Sequence, residues 1–169
     1  MEYAYRADAW QALYTALASA SAALTGLLFI ALSLNLRVIV KNPAHTARAR
    51  ETFGVTLSLL VLSVLVLIPG QDRRFLGAEL LVGSLMLAFI SVRLNLQTLS
   101  KIVSERRGRW ILRLIPLHLG TLSIITAGIS LIFGQFGGLF WLIPTVIIYL
   151  LWSLNNAWLL IIQTAKEEL

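Results

Sequence analysis

The sequence predicts an all-α integral membrane protein with five transmembrane helices, and three observations carry that prediction. Hydrophobic residues make up 58% of the 169-residue chain and charged residues only 13%, against about 25% charged in a soluble domain. The apolar residues are gathered into five stretches: 12–36, 53–68, 76–96, 111–133 and 139–162. Each approaches or exceeds the roughly 20 residues that cross about 30 Å of hydrocarbon. Lipid offers no hydrogen-bond partners to the backbone, so stretches of this kind are helical. The chain is read as one transmembrane domain, residues 1–169.

Each element has its own start and stop. The first helix begins after an aromatic segment, Tyr3, Tyr5 and Trp10. Ala18-Ser19-Ala20 imitates a signal-peptidase site, but Glu2 and Asp8 oppose the lone Arg6 and the strongest apolar run follows, so an uncleaved helix is expected. Asn42-Pro43 fits an N-cap followed by proline at the first helical position, which starts the second helix inside a basic segment. Pro69-Gly70 ends it. Asp72 can cap the third helix, which extends past Leu96 to about Glu105 before Gly108 breaks it. Gly134 and Gly137-Gly138 make the last turn.

Charge gives an orientation. Ten of the fourteen Lys and Arg residues lie between Arg37 and Arg50 or between Arg93 and Arg113. These flank the first–second and third–fourth connections. Short loops rich in Lys and Arg stay cytoplasmic, so the N-terminus is expected outside and the C-terminus in the cytoplasm. Basic loops beside spans also suit anionic headgroups, which makes the bilayer, and not nucleic acid, the expected partner of the net charge of +6. The chain has no cysteine and only two histidines, His45 and His118. No metal site and no cofactor are expected.

Internal similarities suggest a parallel two-helix repeat. Asn35, Asn95 and Asn155 stand sixty residues apart, in the first, third and fifth apolar stretches. Thr56-Leu57-Ser58 and Thr121-Leu122-Ser123 correspond in the second and fourth. Chance matching among helices built from Leu, Ile, Ser and Gly gives the competing explanation.

Two groups of residues are out of place in lipid. Small residues form a seam on the first helix (Thr15, Ser19, Ala22, Gly26 and Ser33) and on the fourth (Gly120, Ser123, Ala127, Ser130 and Gly134). Their 3–4 spacing puts each set on one face, where backbones can approach closely. Such a seam serves packing within the protomer, a subunit interface or a pore wall. Polar residues form the second group. Glu79, near Gln71, is a proton or cation site or a cap on the turn. Asn35, Arg93, Asn95, His118 and Asn155 should lie at neighbouring depths, as a polar pathway or as interhelical glue. Arg93 can instead snorkel to phosphates, and His118 can serve the carbonyl freed by Pro116.

No enzyme constellation appears: no serine has a plausible histidine–acid pair, and phosphate-loop, dinucleotide and zinc-protease motifs are absent. The run from Ala22 to Asn35, then Ile68-Pro69-Gly70-Gln71 and Gly77-Ala78-Glu79-Leu80-Leu81, resembles a group of short bacterial integral membrane proteins of unknown function. The resemblance covers the first half of the chain and implies a bacterial inner-membrane location. The expected function is that of a non-enzymatic homo-oligomer giving a channel- or transporter-like path to ions or small solutes. The alternative is a scaffold or regulatory subunit of another membrane protein.

Overall fold

A computed structural model describes residues 2–99 and 104–167. All regular structure among them is helical, in the order α1 (Gln11–Leu34), α2 (Leu36–Lys41), α3 (Pro43–Val66), α4 (Arg73–Leu99), α5 (Ser104–Phe133) and α6 (Leu142–Glu167). Single 3-10 turns, Glu2–Tyr5, Ala7–Trp10 and Gly138–Trp141, precede α1 and α6. Five segments are long and apolar enough to cross a membrane: Ala7–Leu34, Pro43–Val66, Arg73–Gln97, Leu114–Phe133 and Gly138–Leu159.

Local chemistry explains the boundaries. Asn42 Oδ1 accepts from the Ala44 N–H at 3.0 Å and Pro43 occupies the first turn of α3, as the Asn-Pro pair predicts. Asp72 Oδ1 accepts from the Arg74 N–H at 2.7 Å and starts α4. Gly134, Gly137 and Gly138 all have positive φ, and Phe136 shares that region with φ 70°. For a residue with a Cβ this costs about 1–2 kcal/mol. It turns the chain sharply from α5 into α6.

Two boundaries differ from expectation. The first helix does not run unbroken to residue 36, because Asn35 leaves helical geometry (φ −102°, ψ 14°) and α2 starts at Leu36. Asn35 Nδ2 donates to the Ala31 carbonyl at 2.9 Å, serving its own helix at the break. Gly108 does not end a helix either. It lies inside α5, which begins at Ser104, and one glycine costs a helix only about 1 kcal/mol. Helix α4 is described as far as Leu99, and the expected extension beyond it through residues 100–103, including Lys101, lies outside the described residues.

The helices pack in a row that follows a spatial order, not the chain order: α1 on α3, α3 on α6, α6 on α5 and α5 on α4. The core along this row includes Tyr14, Leu59, Leu131, Leu139, Leu142 and Tyr149. The α4–α5 crossing is tightest at Gly77 and Gly128. A Cβ placed on either glycine would stand 2.8 Å from the other's carbonyl oxygen. The row bends so that α3 and α4 also meet, over a smaller area. At the outer ends of the row, α1 and α4 keep most of their surface uncovered. Only 17% of the apolar window in α1 is buried, against 50% in α5.

The chain's first turns are clipped to the α5–α6 turn. Tyr5 Oη accepts from the Gly137 N–H at 2.9 Å. Trp10 meets Phe140 edge to face, with ring centroids 4.9 Å apart. Gly138 lies against the Ala4 carbonyl, a contact that leaves no room for a side chain.

Candidate functional site

The row closes on itself where α3 meets α4, and a cavity of about 170 Å³ remains there. Four helices contribute polar groups to its wall: Arg50, Glu51 and Ser58 from α3, Ser91 and Asn95 from α4, Thr121 from α5 and Tyr149 from α6. Helical spacing explains the first two sets. Residues 51, 55 and 58 fall on one face of α3, and residues 87, 91 and 94 on one face of α4, so each helix turns one stripe to the other.

The floor is tightly organised. The Tyr149 ring lies over Gly120, where any side chain would collide with it. Its hydroxyl reaches Thr121 Oγ1 at 2.9 Å and the Leu117 carbonyl at 3.2 Å. Thr121 Oγ1 also reaches the Leu117 carbonyl, at 2.9 Å. The two hydroxyls carry two protons, so two of these three contacts are hydrogen bonds at any one time. Thr145 secures the same crossing by donating to the Gly120 carbonyl at 3.0 Å. Asn95 is 4% exposed. Its Nδ2 donates to the Ser91 carbonyl and reaches Ser91 Oγ, while its Oδ1 has no hydrogen-bond partner among the described residues.

Asn95 belongs to a second space as well. A groove of about 450 Å³ between α4 and α5 is lined by Asn95 and His118 among apolar residues such as Val92, Leu114 and Leu122. The expected polar layer is therefore brought together in part: Asn95 and His118 share a groove. Arg93 and Asn155 are exposed and line neither space, as does Asn35, which is half-buried at the α1–α2 break. Glu79 sits apart from this layer, exposed near the start of α4, where its Oε2 accepts from Gln71 Nε2 at 2.6 Å.

Both small-residue seams can be located. Gly120, Ser123, Ala127 and Ser130 are buried inside the protomer. Ser123 donates to the Trp141 carbonyl and Ser130 to the Gln135 carbonyl. On α1, Ser19, Ala22, Gly26 and Ser33 are all exposed, and nothing lies within 4 Å of a Cβ built on Gly26.

Glu51, Thr121 and Tyr149 are cavity residues that the sequence did not single out as a group. An apolar run beginning at residue 53 leaves Glu51 outside the span. The capped start at Pro43 instead carries it onto the buried face of α3, where it is 9% exposed. Among the described residues no group of three His, Asp or Glu side chains is placed to hold a metal ion. No family model matches this chain, and no match was found among the curated proteins or the solved structures.

Proposed function

We propose that the protein is a non-enzymatic membrane protein that gives ions or small polar solutes a path through the bilayer, with the α3–α6 cavity as its interior station. The single observation that carries this reading is the convergence of polar side chains from four helices on one cavity. Polar groups at membrane depth are costly and are retained where they line a path or a cavity. The α3–α4 contact, the smallest between neighbouring long helices, is the place where such a path opens.

The chain acts as a homo-oligomer in this proposal, with the uncovered small-residue face of α1 against a second copy. Close approach of helix backbones is what such a face permits. Bacterial inner-membrane location, an external N-terminus and a parallel repeat belong to the same proposal. The Lys and Arg bias supports the orientation. Single cysteines introduced at Gly137 and Ala44 test it: an impermeant reagent added outside should label the first only, and the reverse pattern inverts the topology.

Flux tests the path. Purified protein in liposomes is assayed for proton, potassium and chloride movement with entrapped dyes, beside Asn95→Leu and Thr121→Val. Flux above protein-free liposomes is expected for the native chain, falling to background in Asn95→Leu at unchanged folded yield. Absence of flux in the native chain, or an undiminished flux in both variants, rejects the path. The uncovered α1 face then favours the second reading, a scaffold subunit that docks on another membrane protein.

A further inference from the structure

The break at Asn35 creates a second feature, which opens on the other side of Arg50 from the cavity and shares that residue with it. Past it, α2 folds over the start of α3, and Thr46 Oγ1 donates to the Ile39 carbonyl at 2.8 Å. A groove of about 510 Å³ remains between the end of α1, α2 and the first turns of α3. Its walls are largely apolar, with Phe29, Leu36, Val40 and Phe53 among them, and its one charged lining residue is Arg50. Phe29, Leu36 and Val40 are 63%, 55% and 61% exposed.

The charge around this groove has one sign. Arg37 and Lys41 on α2 are exposed, as is Arg50. Arg6, at the opposite end of α1, has its acidic partners in Glu2 and Asp8. Glu51, the acidic neighbour of Arg50, is turned to the buried face of α3. An apolar slot beside a helix end, with an unneutralised guanidinium on its wall and two more cations on the adjoining helix, matches an acyl chain below a phosphate. Guanidinium groups suit phosphate because their donors meet its oxygens two at a time.

We propose that this groove is a binding site for an anionic phospholipid, one acyl chain lying between α1 and α3 and the headgroup phosphate on Arg50, with Arg37 and Lys41 supplying the surrounding field. The site requires only that the helices lie in a bilayer. It stands whether or not the protein conducts.

The test is native mass spectrometry of the detergent-purified full chain, titrated with dioleoyl phosphatidylglycerol or dioleoyl phosphatidylcholine, with circular dichroism confirming the fold of each variant. A single cation near a headgroup changes affinity about fivefold. The native chain should therefore retain phosphatidylglycerol at least about fivefold better than phosphatidylcholine, and Arg50→Gln should lower that preference about fivefold. Arg93→Gln, which removes an exposed cation on α4, should leave the preference intact. Leu36→Trp, which fills the groove from α2 without changing charge and lies outside the α1 seam, should weaken retention of both lipids. Excess inorganic phosphate should not displace the bound lipid. Equal retention of the two lipids by the native chain overturns the proposal, as does an unchanged preference in folded Arg50→Gln. Full retention in folded Leu36→Trp, or displacement by inorganic phosphate, reduces the site to surface charge and overturns the acyl-chain assignment.

Discussion

Helix α5 and helix α1 carry stripes of small residues at the same spacing, yet one stripe is the interior of the protomer and the other is its surface. On α5, Gly120 accepts the Tyr149 ring, Ala127 is fully buried, and Ser130 both donates to the Gln135 carbonyl and accepts from the Gly138 N–H at 2.7 Å. On α1, Ser19 and Ser33 return their hydroxyls to the carbonyls of Thr15 and Phe29, four residues back on the same helix. Gly26 has open space beside it. The α5 seam thus spends its polar atoms on neighbouring elements, whereas the α1 seam satisfies itself and leaves a smooth face. Small residues permit close approach; what comes close depends on the partner.

The largest consequence separates two glycine substitutions. Gly128→Leu places a side chain where its first carbon already stands 2.8 Å from Gly77 O and from Leu81 Cγ. Overpacking of this kind costs about 1–3 kcal/mol for a few added methylenes, and here backbone must move as well. Folded yield in detergent should collapse. Gly26→Leu meets nothing in its own protomer and should keep native yield and melting temperature while losing the oligomer on native mass spectrometry. Equal yields for the two variants would erase the distinction between closely packed α5 and the open face of α1.

A smaller effect sharpens the comparison through the serines. Ser130→Ala leaves the buried Gly138 N–H without its acceptor, a loss of about 1–3 kcal/mol, visible as a lower melting temperature. Ser19→Ala removes a hydroxyl that serves only its own helix, and should change stability by no more than about 0.5 kcal/mol. A Ser130→Ala chain that melts with the native one would show that the α5–α6 turn does not depend on this contact.

Much of this architecture was legible in the sequence. Five apolar segments, the Asn42-Pro43 start, the Asp72 cap and the glycine turn before α6 follow from local chemistry, and each recurs in the structure. The cavity was not legible, because it depends on which helices become neighbours. Thr121 and Tyr149 are 28 residues apart and meet only through the α5–α6 crossing. Asn95 was singled out as a polar residue in lipid, and it does line the cavity. Arg93, two residues away, is exposed because successive helical positions point about 100° apart. The equal spacing of Asn35, Asn95 and Asn155 likewise conceals three environments: a helix break, a buried wall and an exposed face. The open α1 face and the filled α5 face look alike in the sequence because residue size does not record what lies opposite.

The central claim is that the α1 seam meets a second copy of the chain in the membrane, and disulfide cross-linking tests it most directly because the native sequence has no cysteine. Gly26→Cys and Val82→Cys are compared in native membranes under mild oxidation, with Val82 the control as a 67% exposed position on α4. The account predicts a covalent dimer from Gly26→Cys and monomer from Val82→Cys. A folded Gly26→Cys chain that stays monomeric, or equal cross-linking at both positions, would contradict it.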